Sequence, residues 1–499
     1  MHLPVNTILS TGSSGIVIDI ECHFSNSLPN IVIVGLGGKA IDEAKERIRS
    51  AYASSNITLP RKRITINLAP ADIPKESTSL DLAIAVSILQ AGKLVRKTIG
   101  PKTAIIGELG LEGNVRAVRG IIGKLLVGIQ QGIHTFYIPA ANTQQAMVIP
   151  NITVIPIDSL QELYTGLNDL RKLAAHATGN GSALQTPSLQ RSHLQEIIGQ
   201  TRAKRALEIA AAGGHNLFLN GPPGTGKSML AKALPSILPP LNRQEVLEIT
   251  HLHSLISSNY EELVVIRPFR TPHHSASHIA IVGGGTQLRP GEISLSHRGI
   301  LFLDELPEFN RATIEAMRQP LEDRVITVAR AKETATYPAN FILVGTANPC
   351  PCGYYGTKRT CECPAYRIAQ YRQKLSGPIM DRIDLYIDVE EIEHDRLLNN
   401  EASEDDNVVR SRVCAARDLQ TKRFGSPTIL NASMTNEDIK SKSQLTAEAK
   451  ALLNKAASRL ELSARSYMRL IKVARTIADL EQCSALQAAH LAEALQYRR

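Results

Sequence analysis

The sequence has no long hydrophobic run. Nowhere do apolar residues approach the roughly 18 or more in succession that a membrane-spanning helix needs. The first residues, Met-His-Leu-Pro-Val-Asn-Thr, also lack the basic segment and apolar stretch of a secretory signal. We therefore expect a cytoplasmic protein without a membrane partner.

The sequence also lacks an internal repeat of about 20–50 residues, so we do not expect a repeat protein. Hydrophobic residues make up 43% of the chain and charged residues 21%, and these proportions exclude disorder throughout. At 499 residues the chain is too long for one core. A usual size of about 150 residues per domain predicts about three domains.

Acidic residues are fewer than basic ones. Lys and Arg number 56 against 47 Asp and Glu, which gives a net charge of +9. The excess is mild for one chain, but it adds up if several copies assemble into a ring. A polyanionic partner is therefore favoured.

Cysteine is scarce except in one cluster, in which four of the seven cysteines lie within 14 residues. In a reducing compartment such clustering indicates a metal site before a disulfide. Four thiolates can complete a tetrahedral Zn²⁺ shell, although the spacing is C-x-C and not the commoner C-x-x-C. The alternative is a set of free buried thiols. The cluster comprises Cys350, Cys352, Cys361 and Cys363.

Residues 1–172 alternate strand and helix patterns and predict an α/β domain without a phosphate loop. The segment Ile41–Tyr52 places apolar residues on one helical face, and Arg61–Leu68 alternates with the period of a half-buried strand. Small and polar residues then dominate 173–192, which we interpret as a flexible linker.

A phosphate-binding loop stands near the middle of the chain. An apolar run, Leu217–Leu219, leads into a match to G-x-x-x-x-G-K-[ST], and a helical pattern follows it. In this motif the lysine reaches the β- and γ-phosphates of ATP and the final hydroxyl holds Mg²⁺. A chance glycine-rich loop is the alternative. The motif comprises Gly221, Pro222, Pro223, Gly224, Thr225, Gly226, Lys227 and Ser228.

Residues 193–395 predict a parallel sheet with helices on both faces, and they include the cysteine loop 350–363. Residues 396–499 are mainly helical, with a long amphipathic helix at Ser463–Leu480. The predicted strands of the sheet are Leu217–Leu219, Gly299–Leu303, Phe341–Gly345 and Asp384–Val389.

Two further predicted strands end in polar side chains suited to ATP hydrolysis. The strand Gly299–Leu303 ends in Asp304, which we assign to the Mg²⁺ shell, and Glu305, which we assign to the attacking water. The strand Phe341–Gly345 leads to Asn348, whose amide is suited to contact that water and the γ-phosphate. The alternative for Asn348 is a turn-initiating residue before proline.

Two arginines complete the predicted ATP site. Arg382 lies just before the last strand, from which a side chain can project into a neighbouring subunit's γ-phosphate. Arg465 opens the C-terminal amphipathic helix and can reach the nucleotide from a lid. Taken alone, each is typical of a surface arginine. Only the order of the motifs along the chain favours a role for each in the ATP site.

The order of these motifs resembles AAA+ ATPases of the magnesium-chelatase/MCM-like branch. More specific strings occur at Ala206–Asn216, Arg267–His274, Arg289–Leu295, Leu303–Phe309 and Asn348–Gly353. These strings resemble the YifB/ComM family, and the likeness extends over essentially the whole chain. The resemblance implies a hexameric, ATP- and Mg²⁺-dependent DNA motor that promotes branch migration in recombination, associated with natural transformation.

The same resemblance implies single-stranded and branched DNA as substrates, and recombinase and loading factors as partners. Gly283–Glu292 corresponds to an insertion that lines the pore in related motors. Arg289 is therefore a candidate for contact with a DNA phosphate. The three consecutive glycines of this segment predict a mobile loop with no stable helix or strand, and a plain surface loop is the alternative. Lys358 and Arg359, beside two tyrosines, are further candidates for contacts with DNA.

Two segments of the N-terminal domain, Pro74–Ala85 and Gly120–Leu126, resemble the motifs that hold the Ser–Lys dyad of Lon proteases. The resemblance implies an S5 domain 2-like α/β fold. Ser79 and Lys124 fall on the positions of the dyad, but Leu80-Asp81 stands where the proteases have small residues. The default interpretation of Ser79 is a helix N-cap. The Lon resemblance leaves an ATP-dependent Lon-like peptidase as one alternative function. The shared motor core leaves a chelatase-type remodelling chaperone as another, although the N-terminal domain and the cysteine loop lie outside that relationship.

Overall fold

The computed structural model describes residues 4–11, 14–73, 75, 77–169, 173–178, 192–257, 259–285, 288–329, 334–357, 359–374, 379–392 and 404–498. The chain divides into two compact units. The first comprises Met1–Gln185, Asn242–Val265 and Ala331–Tyr337, and the second comprises Thr186–Leu241, Ile266–Arg330 and Pro338–Arg499. Among the helices of the described residues, none combines the length and the apolar character that crossing a bilayer requires.

Among the described residues up to 178 there are ten strands and five α-helices. The strands are β1 (Val5–Thr11), β2 (Ser14–Ser25), β3 (Asn30–Val34), β4 (Arg63–Ala69), β5 (Thr103–Ile105), β6 (Glu108–Leu109), β7 (Val115–Arg116), β8 (Thr135–Pro139), β9 (Thr153–Ile157) and β10 (His176–Ala177). The helices are α1 (Lys39–Ser54), α2 (Asp81–Ala91), α3 (Ile121–Gln130), α4 (Thr143–Met147) and α5 (Leu160–Leu167).

The remaining described elements follow residue 192. The helices are α6 (Thr201–Gly213), α7 (Lys227–Ile237), α8 (Arg243–Ser254), α9 (His278–Val282), α10 (Glu292–Leu295), α11 (Arg311–Ala316), α12 (Arg318–Asp323), α13 (Ala365–Lys374), α14 (Asp406–Phe424), α15 (Asn436–Lys442), α16 (Ala447–Arg459), α17 (Ala464–Leu480) and α18 (Ala488–Gln496). The strands are β11 (Leu217–Asn220), β12 (Phe269–Arg270), β13 (Gly283–Gly284), β14 (Arg289–Pro290), β15 (Ile300–Leu303), β16 (Val325–Ala329), β17 (Thr334–Pro338), β18 (Ile342–Ala347) and β19 (Leu385–Asp388).

The first unit is built on a mixed eight-stranded sheet in the order β10-β9-β8-β5-β1-β2-β4-β3. The predicted apolar face of α1 is confirmed, because its five members are at most 1% exposed: Ile41, Ala44, Ile48, Ala51 and Tyr52. Burial also alternates along β4, as the period-two pattern predicts. The short strand β10, at the start of the segment 173–192, pairs with β9. Residues 179–191 of that segment lie outside the described residues.

Helix α8 belongs to the first unit, although it lies far along the chain. The Arg243 guanidinium donates to the carbonyl of Met147 at 3.3 Å, and the Gln145 amide donates to the carbonyl of Tyr260 at 2.9 Å. The imidazole of His251 covers Gly123, where an added Cβ would lie 2.3 Å from Cε1. Hydrogen bonds to residues of α4 and close packing on Gly123 of α3 therefore hold the segment in place.

The second unit contains the predicted parallel sheet, which is confirmed with a fifth strand at one edge. Its order is β12-β15-β18-β11-β19, and the neighbouring strands run parallel. Helix α17 buries its predicted apolar face in the same core, with Leu470, Val473, Ala474 and Ile477 at most 6% exposed. The carboxyl ends of β11, β15 and β18 meet at one edge, which is where parallel sheets bind their ligands.

The segment Gly283–Glu292 departs from the predicted structureless loop. Its base is a two-stranded antiparallel ladder in which β13 pairs with β14. Glycine makes this possible, because Gly283 and Gly284 have φ values of +104° and +125° and a Cβ on Gly291 would lie 2.3 Å from the amide nitrogen of Gly283. The prediction that three glycines forbid a strand is therefore wrong at this base.

Candidate ATP site and neighbouring clusters

The phosphate loop connects the end of β11 to the start of α7. Gly224 and Gly226 adopt φ values of +83° and +85°, in the left-handed region that glycine tolerates. Among the described residues, a Cβ at either position meets nothing within 4 Å, so this side of the loop is open. Gly221 faces the sheet, where a Cβ would lie 2.4 Å from the carbonyl oxygen of Val389. An open loop at a helix N-terminus fits a polyphosphate.

Lys227 folds back over the loop that precedes it. Its ammonium donates to the carbonyls of Gly221 at 2.6 Å and Pro222 at 2.7 Å, and to Oδ1 of Asn348 at 3.1 Å. Burial lowers the pKa of Lys227, and the charges of Asp304 and Glu305 oppose that shift. The structure thus brings the predicted phosphate-binding lysine and the predicted sensor amide into direct contact.

Ser228 and Asp304 also meet directly. The Ser228 hydroxyl donates to Oδ2 of Asp304 at 3.1 Å. A hydroxyl and a carboxylate are both oxygen ligands of the kind that Mg²⁺ takes, usually together with phosphate oxygens and water. These two residues therefore fit the Mg²⁺ shell of a bound nucleotide.

Thr346 is a member of the site that the sequence analysis missed. Its hydroxyl donates to Oδ1 of Asp304 at 2.6 Å and accepts from the amide of Glu305 at 2.9 Å. Leu303 is paired with Gly345 in the parallel sheet, so the next residue of β18 lies beside the acidic pair. The register between β15 and β18 would have identified Thr346, but that register cannot be predicted from a single sequence.

Glu305 leaves the strand in an unusual conformation. Its φ is +52°, in the left-handed region, and it precedes a 3-10 helix at Leu306–Glu308. A residue other than glycine, asparagine or aspartate is seldom found there, and such backbone strain concentrates at functional sites. The hydrogen bond from its amide to Thr346 holds the turn that aims this carboxylate.

The two predicted arginines lie together on one carboxylate. Nη2 of Arg382 is 2.5 Å from Oε1 of Glu322, and Nη2 of Arg465 is 2.8 Å from the same oxygen. Glu322 lies on α12, and it was not identified from the sequence. The structure therefore places the two arginines as one cationic cluster around a shared acid.

The four clustered cysteines come together in space. Their sulfur atoms all lie within 4.8 Å of one another. The sulfur of Cys350 is 3.3 Å from that of Cys352 and 3.6 Å from that of Cys361, which is 3.6 Å from that of Cys352. Tetrahedral Zn²⁺ with Zn–S bonds of about 2.3 Å spaces its sulfurs about 3.8 Å apart. The C-x-C spacing is thus compatible with a metal-sized tetrahedron, and the cluster could hold a metal.

Two arginines contact the rings of the two tyrosines in the cysteine loop. The guanidinium of Arg359 lies 5.3 Å from the ring centroid of Tyr354, and Nη1 donates to the Tyr354 hydroxyl at 3.3 Å. Arg372 of α13 lies 4.7 Å from the ring centroid of Tyr355. Lys358 lies outside the described residues. Arg289, the other candidate for DNA, is exposed on β14.

Ser79 and Lys124 each have a separate partner. The Ser79 hydroxyl lies 2.8 Å from that of Ser77, and Lys124 donates to the carbonyl of Ile8 at 3.2 Å. Burial lowers the pKa of Lys124 to about 8. The interpretation of Ser79 as an N-cap is wrong by two residues, because Ser77 caps the 3-10 helix that contains Ser79.

Three family models match the chain. The model of the magnesium chelatase subunit ChlI matches residues 193–397, a second ChlI model matches 20–142, and the ChlI C-terminal model matches 403–498. Together they extend over both the ATP site and the Lon-like region.

Curated relatives match over nearly the full length. The chain is 40% identical to "Competence protein ComM" of Haemophilus influenzae over 98% of this chain and 96% of that protein. It is 40% identical to the protein YifB of Salmonella typhimurium over 99% of this chain and 96% of that protein. A Lon protease of Mesomycoplasma hyopneumoniae is 28% identical over 32% of this chain and 20% of that protein.

Proposed function

Because the chain belongs to the YifB/ComM family of magnesium-chelatase-like AAA+ ATPases, we propose that it is a ring-forming, ATP-driven DNA motor that promotes branch migration in homologous recombination. The printed name of the Haemophilus relative, a competence protein, supports a role in natural transformation. The observation that carries the proposal is the ATP site, in which Lys227 binds Asn348 and Ser228 binds Asp304.

The phosphate loop and α7 hold the triphosphate. The loop presents its backbone amides and the helix N-terminus to the phosphates, and Lys227 exchanges its carbonyl partners for phosphate oxygens. Ser228 and Asp304 would hold Mg²⁺, which would supply positive charge to offset the charge of the phosphates. The Ser228 hydroxyl and Oδ2 of Asp304 are already 3.1 Å apart, so these two oxygen ligands need little rearrangement to share an ion.

Glu305 and Asn348 act on the attacking water. Glu305 orients the water and accepts its proton, and its backbone is fixed by the Thr346 hydroxyl. The Asn348 amide, held against Lys227, contacts the water and the γ-phosphate. The Asp304 carboxylate is restrained by Ser228 and Thr346, which keeps it available to the metal and separate from the base.

A homohexameric ring supplies the missing positive charge. We assign Arg382 and Arg465 to the γ-phosphate of a nucleotide, with Arg382 reaching a neighbouring subunit, because they form a cluster that shares a single counter-ion. A guanidinium supplied in trans stabilises the charge of the transition state. This can raise the rate of hydrolysis by about 10³–10⁵-fold. Assembly thus becomes a condition of hydrolysis.

DNA is the polyanion to which we assign the excess positive charge of +9. We assign Arg289, which is exposed on the ladder of β13 and β14, to contacts with phosphates in the pore of such a ring. Arg359 adds positive charge beside the aromatic ring of Tyr354, a combination that suits single-stranded DNA. We also assign Lys358, which lies outside the described residues, to contacts with DNA. Recombinase and loading factors are the expected protein partners.

The cysteine cluster is assigned to a structural Zn²⁺ ion. Four thiolates at the spacing of this cluster would complete a tetrahedral Zn²⁺ shell, and such an ion would serve structure and not catalysis. Metal analysis of the purified protein should find about one zinc per chain, released when the thiols are modified.

The decisive experiment measures ATP hydrolysis with no DNA, single-stranded DNA, duplex DNA and a synthetic four-way junction. The motor predicts stimulation by DNA and ATP-dependent movement of the junction, whereas Glu305→Gln should abolish both. A rate indifferent to every DNA and a static junction would reject the motor. Hydrolysis stimulated by casein with peptide release would then favour the Lon-like peptidase, and stimulation by a partner protein alone would favour the remodelling chaperone.

A further inference from the structure

The cysteine loop, residues 350–363 with 358 outside the described part, packs against the phosphate loop. Gly353 lies so close to Pro223 that an added Cβ would be 2.6 Å from Cδ and 3.0 Å from Cγ of the proline ring. Contacts under about 3 Å force a neighbour to move. The two loops are therefore in full van der Waals contact at a position where only glycine fits.

A second contact comes from the residue that leads into the cysteine loop. Asn348 is two residues before Cys350, and its Oδ1 accepts a hydrogen bond from Nζ of Lys227. The loop thus touches the phosphate-binding motif at Pro223, and the residue that leads into the loop touches it at Lys227. Displacement of the chain between Asn348 and Gly353 would disturb both contacts together.

The short chain between these contacts is shaped by the cluster. The amide of Gly353 donates to the carbonyl of Cys350 at 2.9 Å, and the amide of Tyr355 donates to the Cys350 sulfur at 3.3 Å. The left-handed φ of +89° at Gly353 completes this turn. Amides donating to a cysteine sulfur are suited to a thiolate, and several thiolates this close repel one another unless a cation lies between them.

We propose that the metal held by Cys350, Cys352, Cys361 and Cys363 positions the phosphate loop, through Gly353 on Pro223 and Asn348 on Lys227, so that metal loss weakens nucleotide binding. The inference rests on the ATP site of the proposed function, and it does not depend on DNA. The metal ligands do not touch the nucleotide in this scheme. They fix the loop that supports the phosphate-binding turn, and Gly353 is a positioning residue.

The chain offers a matched pair of glycines for the test. Gly353→Ala introduces a side chain at φ +89° against Pro223, whereas Gly356→Ala introduces the same strain at φ +77° with no described atom within 4 Å of its Cβ. Binding of a fluorescent ATP analogue is measured without DNA, and zinc is measured in the same samples. We expect Gly353→Ala to bind the analogue roughly tenfold more weakly with its zinc retained, and Gly356→Ala to bind as the unaltered protein does.

A second arm removes a ligand. Cys361→Ser should lower the zinc content and weaken analogue binding, while Cys22→Ser, at a half-buried cysteine outside the cluster, should change neither. Equal affinity of the Gly353 and Gly356 variants, or zinc loss from Cys361→Ser with unchanged affinity, would overturn the inference. An unaltered protein that binds the analogue tightly but contains no zinc would also overturn it. Failure of the unaltered protein to bind any nucleotide would instead refute the ATP site itself.

Discussion

Arg382 and Glu322 form an ion pair, with Nη2 of the arginine 2.5 Å from Oε1 of the acid, and Arg465 binds that same oxygen at 2.8 Å. Two guanidinium groups repel each other at this range unless an anion lies between them. Glu322 therefore fixes the position of both arginines, although its own side chain is 44% exposed. The cluster retains one net positive charge, which suits the capture of a phosphate.

Removal of this shared acid should impair catalysis more than nucleotide binding. Glu322→Ala leaves both arginines charged but unpositioned, so we expect kcat for ATP to fall about tenfold with little change in KM. Glu315→Ala is the matched control, because it also removes a carboxylate that binds an arginine. Glu315 pairs at 2.6 Å with Arg318, the first residue of α12. Equal kcat values for the two variants would show that Glu322 has no such role.

The carboxylate assigned to water activation can be tested by a single-atom change. Glu305→Gln preserves the size and hydrogen-bonding shape of the side chain but removes its basicity, so ATP should still bind while kcat falls by about 10²-fold or more. Glu308→Gln provides the control, because it makes the same chemical change in the adjacent 3-10 helix. The Glu308 carboxylate lies at the surface, 3.8 Å from the ammonium of Lys374. A Glu305 variant with normal turnover would remove the assignment.

The hydroxyl of Thr346 joins the two acids of the site, and its loss should reduce turnover. Thr346→Val keeps the volume but leaves Oδ1 of Asp304 and the amide of Glu305 without this partner, at a typical cost of about 1–3 kcal/mol. If that cost falls on the transition state, kcat should fall by roughly 5- to 160-fold, measured as steady-state phosphate release. Thr7→Val is the control, because the buried hydroxyl of Thr7 has no partner among the described residues, and its loss should not slow hydrolysis.

Strand and helix patterns predicted the fold better than they predicted the site. The buried faces of α1 and α17 can be predicted because their apolar residues recur with the helical period. The phosphate loop can be predicted because phosphate binding fixes the spacing of its residues. Thr346 depends on the register of two strands that are distant in sequence, and Glu322 depends on where α12 packs. The membership of α8 in the first unit likewise arises from tertiary contacts such as His251 on Gly123.

Burial of Lys124 predicts a pH-dependent stability difference. Its pKa is lowered to about 8 by burial, from an ordinary value of 10.5, so between these pH values the unfolded chain binds the extra proton and stability rises with pH. Lys124→Met removes this dependence. The variant should therefore be more stable than the unaltered protein at pH 7.5, and its advantage should shrink by up to about 3 kcal/mol by pH 10.5.

Thermal or urea unfolding of the two proteins at both pH values measures the Lys124 effect, because other titrating groups are common to both and cancel in the difference. A difference in stability that stays constant between pH 7.5 and pH 10.5 would contradict the lowered pKa. Such a result would also remove the neutral amine that a Ser79–Lys124 dyad requires as a base.

Arg289 should contribute one phosphate contact to DNA binding. For single-stranded DNA the logarithm of affinity falls with the logarithm of salt concentration by about 0.7 per phosphate neutralised. Arg289→Ala should therefore reduce this slope by about 0.7 and weaken binding to any sequence at low salt. Arg459→Ala, at an exposed arginine of α16, removes the same charge and should leave the slope unchanged. If both variants shift affinity equally and neither alters the slope, Arg289 acts only through net charge, and the contact in the pore is refuted.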